Sequence, residues 1–244
     1  MATSAAPICP QSSSHFAPGI ASSPDFSIIA TVQIPGGDKA GYRMIVDKIC
    51  KRTLDVVVSL FALLLSLPLM VVAAIIIKLD SPGPVFFRQP RLGKDGRPFV
   101  MLKLRSMTQD AAELHTVVAS ANEMVGPVFK IRSDPRVTRI GKFLRKSSID
   151  ELPQLWHVLT GEMSLVGPRP PIPDEVARYE PWQRERLAGK PGLTCTWQVS
   201  GRSDISFDRW VQMDIDYLRH RNLALDLKIL FRTIPAVLTG RGAY

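Results

Sequence analysis

The 244-residue chain is long enough for one or two domains, and its 45% apolar content is ordinary but unevenly spread. Lys and Arg outnumber Asp and Glu by 31 to 22, and the surplus of +9 suits an anionic partner: nucleic acid, a phosphate-rich ligand or an anionic membrane. Its three cysteines, Cys9, Cys50 and Cys195, are far apart with no CxxC spacing, which argues against a zinc site and a disulfide framework.

Residues 1–40 are rich in Ser, Ala and Pro and lack the periodic apolar residues of a core, so a disordered tail is expected. No basic region precedes an apolar run there, so it does not read as a secretory signal. Val56 to Ile77 is 22 residues without a charge. As a helix it reaches about 33 Å, enough to cross a hydrocarbon core. Pro68 near its middle predicts a kink, and Ser66 is placed to satisfy a freed carbonyl. Basic residues flank both ends: Arg43, Lys48, Lys51 and Arg52 before, Lys78, Arg88 and Arg91 after. A broken, re-entrant helix keeps both flanks in the cytoplasm, whereas a simple span exports one of them. The residues leave both topologies open.

Ser81 to Met107 holds two apolar-rich runs around Asp95-Gly96, which suits a two-residue type I′ hairpin. That register puts Arg88 opposite Lys103, with Arg105 on the same face. Opposed cations repel, so an anion between them would explain the arrangement; a solvated basic edge explains it as well. Residues 108–146 read as a helix, then a basic loop and helix. A helical stretch follows at 173–188, strand- and turn-like composition at 191–202, and two helices at 207–221 and 225–238. In the last of these, Leu227, Leu230, Phe231, Ile234 and Leu238 share a face that suits a core or a membrane interface.

The stretch SSIDELPQLWHVLTGEMSLVGPRP, Ser147 to Pro170, places Asp150 and Glu151 just before Pro153. Proline is tolerated in a first helical turn, so a helix is expected to start near 148–150, with Leu152, Leu155, Trp156 and Leu159 on its apolar face. Ser148 and Glu151 fit the S-x-x-E capping box, which by itself accounts for the acid. His157 reads as a surface or structural residue. The combination says more: an apolar helix, a basic hairpin, paired acids and isolated arginines suit phosphate chemistry at a bilayer. A carboxylate can attack phosphorus, a second can hold Mg²⁺, and Arg and Lys can stabilise the transferring group.

These motifs together resemble the bacterial sugar transferase family, the monotopic polyprenyl-phosphate phosphoglycosyl transferases. The resemblance runs from Lys48 to Tyr244 through KRTLDVVVSL, SPGPVFFRQPRLGKDGRPF, KLRSM, DPRVTRIGKFLRKSSIDELPQLWHVLTGEMSLVGPRP, PGLTCTWQVSGR, DLKIL and GRGAY. It implies an α+β, mainly helical fold with a re-entrant membrane helix at 41–80. The cytoplasmic transferase domain would cover 81–244, with a short β-hairpin and amphipathic interface helices. It implies transfer of a sugar 1-phosphate from a UDP-sugar to undecaprenyl phosphate at the inner membrane, with release of UMP. Asp150 is then the nucleophile and Glu151 a ligand of Mg²⁺. Arg88, Lys103, Arg105, Arg169 and Arg202 are the expected phosphate-binding residues. Membrane lipids are expected partners and nucleic acid is not, although a basic nucleic-acid-binding or regulatory membrane protein is the alternative the charge allows. Cys195 stands where the family commonly has glycine, and a φ > 0 there would strain it. Nothing in the residues selects galactose over glucose or sets the oligomeric state.

Overall fold

The computed structural model describes residues 37–124, 126–202, 205–240 and 242. Most of the expected tail therefore lies outside the described residues, as does most of the GRGAY terminus. Helix α1 runs from Gly37 to Asp80, 44 residues and about 66 Å of helical rise, and it stays helical across Pro68. The Ser66 hydroxyl donates to the Leu63 carbonyl at 3.1 Å, not to the Leu64 carbonyl that the proline frees.

Helix α1 is fastened to the globular body on both sides of its apolar stretch. Just before the apolar stretch, Lys51 Nζ donates to Asp226 Oδ2 at 2.7 Å and Arg52 donates to the Val158 and Leu159 carbonyls at 2.6 and 2.7 Å. Buried Asp55 accepts the Leu165 N–H at 3.0 Å. At its far end, Arg105 closes the helix. Its guanidinium donates to the Ser81 carbonyl at 2.7 Å, the Ser81 hydroxyl at 2.9 Å and the Pro82 carbonyl at 2.7 Å. Helix C-termini leave carbonyls without intrahelical donors, and a cation there also suits the helix dipole. Asp55, Ser59, Ala73 and Ile77 are buried against the body, whereas no residue from Leu64 to Val72 is buried.

Strands β1 (Phe86–Leu92) and β2 (Pro98–Leu104) form the expected antiparallel hairpin, with Asp95 (φ 57°) and Gly96 (φ 74°) both left-handed. The register differs by one from expectation. Lys94 joins the turn, so Phe87 pairs with Lys103 and Arg88 with Leu102. A one-residue slip exchanges the two faces of a strand. Arg88 therefore leaves the Lys103 face, and Arg91, paired with Phe99, joins it.

After a short helix α2 (His115–Val118), helix α3 (Arg139–Lys146) begins at Thr138, whose hydroxyl caps the Gly141 N–H. Gly141 packs so closely that a Cβ there would sit 1.9 Å from the Ser106 carbonyl oxygen. Between α3 and helix α4 (Gln154–Thr160) lies a 3-10 turn, Ile149–Glu151. The expected capping box does not form. Ser148 is left-handed (φ 58°, ψ 17°) and makes no cap bond. It occupies the C′ position that ends α3, a place glycine usually takes, and an N-cap needs extended backbone instead. The helix proper starts after Pro153. Its buried residues are Gln154, Leu155, His157 and Val158; Trp156, expected inside, is 54% exposed. His157 is structural: Nε2 accepts the Leu102 N–H at 3.0 Å and Nδ1 lies 2.7 Å from Glu162.

Strand β3 (Ser164–Val166) runs parallel to β4 (Gly192–Thr194), and helix α5 (Pro173–Ala177) and a 3-10 turn, Pro181–Ala188, take the place of one helix at 173–188. Helices α6 (Phe207–His220) and α7 (Leu223–Thr239) follow, close to their expected bounds. One core gathers on α6, where Trp197 stacks on Trp210 at 4.2 Å. A second joins α4, β3, Tyr217 and Ile229; a third joins the rear of α1 to Leu104 and Leu144. Val158 and Val211 are fully buried, each contributing about 1.5–3 kcal/mol of transfer free energy. Helix α7 buries Asp226 and Ile229 and packs Leu230 on the second core but leaves Leu227, Phe231, Ile234 and Leu238 exposed, so most of its apolar stripe is not a core face. Cys195 is buried in the α6 core at an ordinary negative φ, so glycine's absence causes no strain.

Candidate active site

The acidic turn at 149–151 packs against the end of β2 and against the corner that follows β3. Glu151 Oε1 accepts two charged donors, Lys103 Nζ and Arg169 Nη2, each at 2.9 Å. Burial opposes its charge, but the Arg169 and Lys103 cations and their hydrogen bonds hold it well below the usual carboxylate range. Asp150 has the opposite surroundings. It is buried, and among the described residues its carboxyl has no hydrogen-bond donor. Burial pushes it up to about 6; Lys103, Arg145 and Arg169 favour its charge, and Glu151 opposes it. The two neighbours are thus an anion held by two cations through one oxygen and a bare, reluctant one.

Cations ring the pair. Burial lowers Lys103, and Glu151 restores part of its charge preference. Glu151 raises Arg169. Arg202 is half-buried and left-handed (φ 52°), with its Nε on the Gln198 carbonyl at 3.3 Å and its charge in the field of Glu151. Of the other expected residues, Arg105 is committed to the end of α1, and Arg88 is exposed on the far face of the hairpin.

Two arginines absent from the sequence-based set belong here. Arg145 of α3 is lowered by burial, with Asp150 the leading counter-charge; its Nε donates to Ser106 Oγ at 2.9 Å. Its two terminal nitrogens have no hydrogen-bond partner among the described residues. Arg91 is lowered to about 10 by burial and the Arg169 charge, and donates to the Pro170 carbonyl at 2.9 Å. The correct hairpin register would have pointed to Arg91. Arg145 carries no comparable local signal beyond its place in a basic run.

Among the described residues no three His, Cys, Asp or Glu side chains gather as a metal cage. The donor set instead fits a hard cation shared with a ligand. Glu151 has a second oxygen outside its two ion pairs, Asp150 lies beside it, and Mg²⁺ is commonly held by one or two carboxylates plus substrate phosphates.

The architecture is therefore that of a globular body with a long apolar helix and a carboxylate pair set among buried cations. Residues 46–240 match the bacterial sugar transferase family, and the chain belongs to that family. It is 44% identical over 80% of its length to the galactosyl transferase CpsE of Streptococcus agalactiae, covering 43% of that protein. It is 41% identical over 80% of its length to the exopolysaccharide production protein ExoY of Rhizobium meliloti, covering 88% of it. A third relative is the UDP-glucose:undecaprenyl-phosphate glucose-1-phosphate transferase of Caulobacter vibrioides, 43% identical over 86% of this chain and 76% of that protein. The chain thus spans about two fifths of its longer relatives and most of the shorter ones.

Proposed function

We propose that this protein transfers a sugar 1-phosphate from a UDP-sugar to undecaprenyl phosphate as the first membrane step of exopolysaccharide or O-antigen repeat-unit synthesis. The observation that carries the chemistry is the contrast within the acidic pair: among the described residues Asp150 has no hydrogen-bond donor, while one oxygen of Glu151 is held by both Lys103 and Arg169. An oxygen of ionised Asp150 attacks the phosphorus that bears the sugar. The bond from that phosphorus to the bridging oxygen breaks, and UMP leaves with the electron pair. The aspartyl phosphosugar is then attacked by an undecaprenyl phosphate oxygen, which restores the carboxylate and makes a new phosphoanhydride. One anhydride is broken and one made, so no further energy source is needed. Lys103, Arg169, Arg145 and Arg202 bind and neutralise the phosphoryl oxygens, worth most where water is excluded. Mg²⁺ held by Glu151, with the diphosphate, would supply further neutralisation of the leaving phosphate. The names of the relatives support a UDP-galactose or UDP-glucose donor.

The acceptor is a lipid, and the surface suits it. Val57, Phe61, Leu64, Leu65, Val72 and Ile76 face outward from α1, and Phe231, Ile234 and Leu238 from α7. Both flanks of the apolar segment at residues 56–77 are basic and held to one body, so a span that exports one flank would have to break either the Lys51–Asp226 or the Arg105–Ser81 contacts. A re-entrant helix, inserted through its unburied Leu64–Val72 middle with the catalytic body on the cytoplasmic face of the inner membrane, keeps both.

Purified protein with undecaprenyl phosphate and Mg²⁺ should release UMP from one member of a UDP-sugar panel. With radiolabelled sugar and no acceptor, label should remain on the protein. No release with any UDP-sugar would overturn the activity, and release without label on the protein would overturn the covalent step.

A further inference from the structure

Arg169 stands in the run Pro168-Arg169-Pro170-Pro171, where three of four residues lack a backbone N–H. Such a segment offers four carbonyls and one donor, so no ladder can hold it and its carbonyls need outside donors. Each finds one. Pro168 O accepts the Gly192 N–H at 2.9 Å and Pro171 O accepts the Leu92 N–H at 2.9 Å. Pro170 O accepts Arg91 Nη1 at 2.9 Å, and Arg169 O accepts Arg186 Nη2 at 3.2 Å.

Arg186 is the unusual member. It is 4% exposed and gripped on two sides: the same Nη2 lies 2.5 Å from Asp214 Oδ2, and Nη1 lies 2.9 Å from the Tyr179 hydroxyl. Asp214 is itself 1% exposed. Burying an ion pair rarely adds stability over apolar residues of similar volume, because desolvation offsets the attraction. The pair's evident output is one bond, to the carbonyl of the residue that reaches Glu151 at 2.9 Å. We infer that Arg186, backed by Asp214 and Tyr179, is a positioning residue that fixes the main chain of Arg169 so that its guanidinium meets Glu151 and the transferring phosphate. Neither Arg186 nor Asp214 touches the acidic pair through any hydrogen bond or ion pair. On this inference the pair reaches the acidic turn through Arg169.

The role of Arg169 in transfer rests on the proposed reaction; its geometry does not. The test is the apolar pair Arg186→Met/Asp214→Leu, which removes both charges together and leaves neither buried alone. The expected result is a folded protein whose UMP release falls about 10- to 100-fold, as small misplacements of a positioning group do. In an Arg169→Ala background the same pair should cost less than about twofold, because nothing remains to be positioned. Full activity in the pair variant, or a loss that adds fully to that of Arg169→Ala, would overturn the inference. If the pair variant does not fold, Tyr179→Phe replaces it. A loss that disappears in the Arg169→Ala background supports the inference, and no loss or an additive one overturns it. A crystal structure of whichever variant folds reads the same point without substrate. Arg169 displaced from Glu151 supports positioning, and an unmoved contact refutes it. Wild-type protein that releases no UMP would count against the transfer reaction, and the structural comparison would still decide the positioning role.

Discussion

The turn that carries Asp150 and the corner that carries Arg169 meet at Glu151, yet they are built on opposite terms. The corner is over-held: four successive carbonyls each receive a donor, two of them from arginine side chains. The turn is under-held. It leaves α3 through a left-handed serine, lacks a side-chain cap, and presents a buried carboxyl with no donor among the described residues. Under the proposed reaction the contrast is a division of labour. Groups that stabilise charge gain from being fixed before the reaction, because they then need not reorganise. A nucleophile gains from being left unsolvated and unpaired, since each donor it accepted would have to be given up during attack. Strain at functional turns fits the same logic.

The largest effect should come from erasing the bare carboxylate. Asp150→Asn is expected to abolish transfer and the trapping of label, by at least about three orders of magnitude, while the protein remains in the membrane fraction. It should also be more stable. A carboxyl raised from 3.8 to about 6 binds its proton more tightly folded than unfolded. Its contribution to wild-type stability is therefore fully present below about 3.8 and is lost as pH rises through about 6. Above that range the asparagine variant should gain on the order of 2–3 kcal/mol over wild type, and near pH 3 the advantage should vanish. Thermal melts at two pH values check it. An equal gain at both would show that burial of the ionised carboxyl is not the cause.

Next comes a cation from the fixed side. Lys103→Met should reduce transfer about 100-fold, the scale for one lost charge-stabilising donor. It should also move the pH profile. Wild-type activity should rise with pH through a midpoint near 6 as Asp150 ionises. Lys103 favours that ionisation, so its loss should shift the midpoint upward. Rates from pH 5 to 8 in both proteins separate the two roles, and a lowered rate with an unmoved midpoint would leave Lys103 with phosphate binding alone.

Much of this was legible in the sequence, and the failures have particular causes. The apolar segment, the hairpin, α6 and α7 follow from periodicity and length, and the paired acids stand out beside Pro153. The hairpin register failed because Lys94 enters the turn without any distinctive residue type, and that single step put Arg88 where Arg91 belongs. The capping box failed because the same Ser148 is needed to end α3, a tertiary demand invisible to a four-residue pattern. Arg105 resembled a phosphate ligand, but its carbonyl partners lie more than 20 residues away in sequence. The three-residue strands β3 and β4 are too short for alternation to show. Arg186 had one readable sign, which is general: a proline-rich run must borrow its hydrogen bonds, so donors must be sought elsewhere in the chain.

The smallest effect should come from the strained hinge of the turn. Ser148 holds φ 58° as the C′ residue of α3, a conformation that costs a non-glycine residue about 1 kcal/mol or more. Its hydroxyl makes no cap bond to repay that cost. Ser148→Gly should therefore raise the melting temperature by a few degrees, roughly 2–4 °C for a chain of this size. Its effect on transfer tests whether the turn is held by its own backbone or by its surroundings. Glu151 is fixed from outside by Lys103 and Arg169, so the acids should keep their places and the rate should stay within about twofold. A more stable protein with much slower transfer would mean that the serine's restricted backbone, and not the fixed cations beside the turn, aims Asp150.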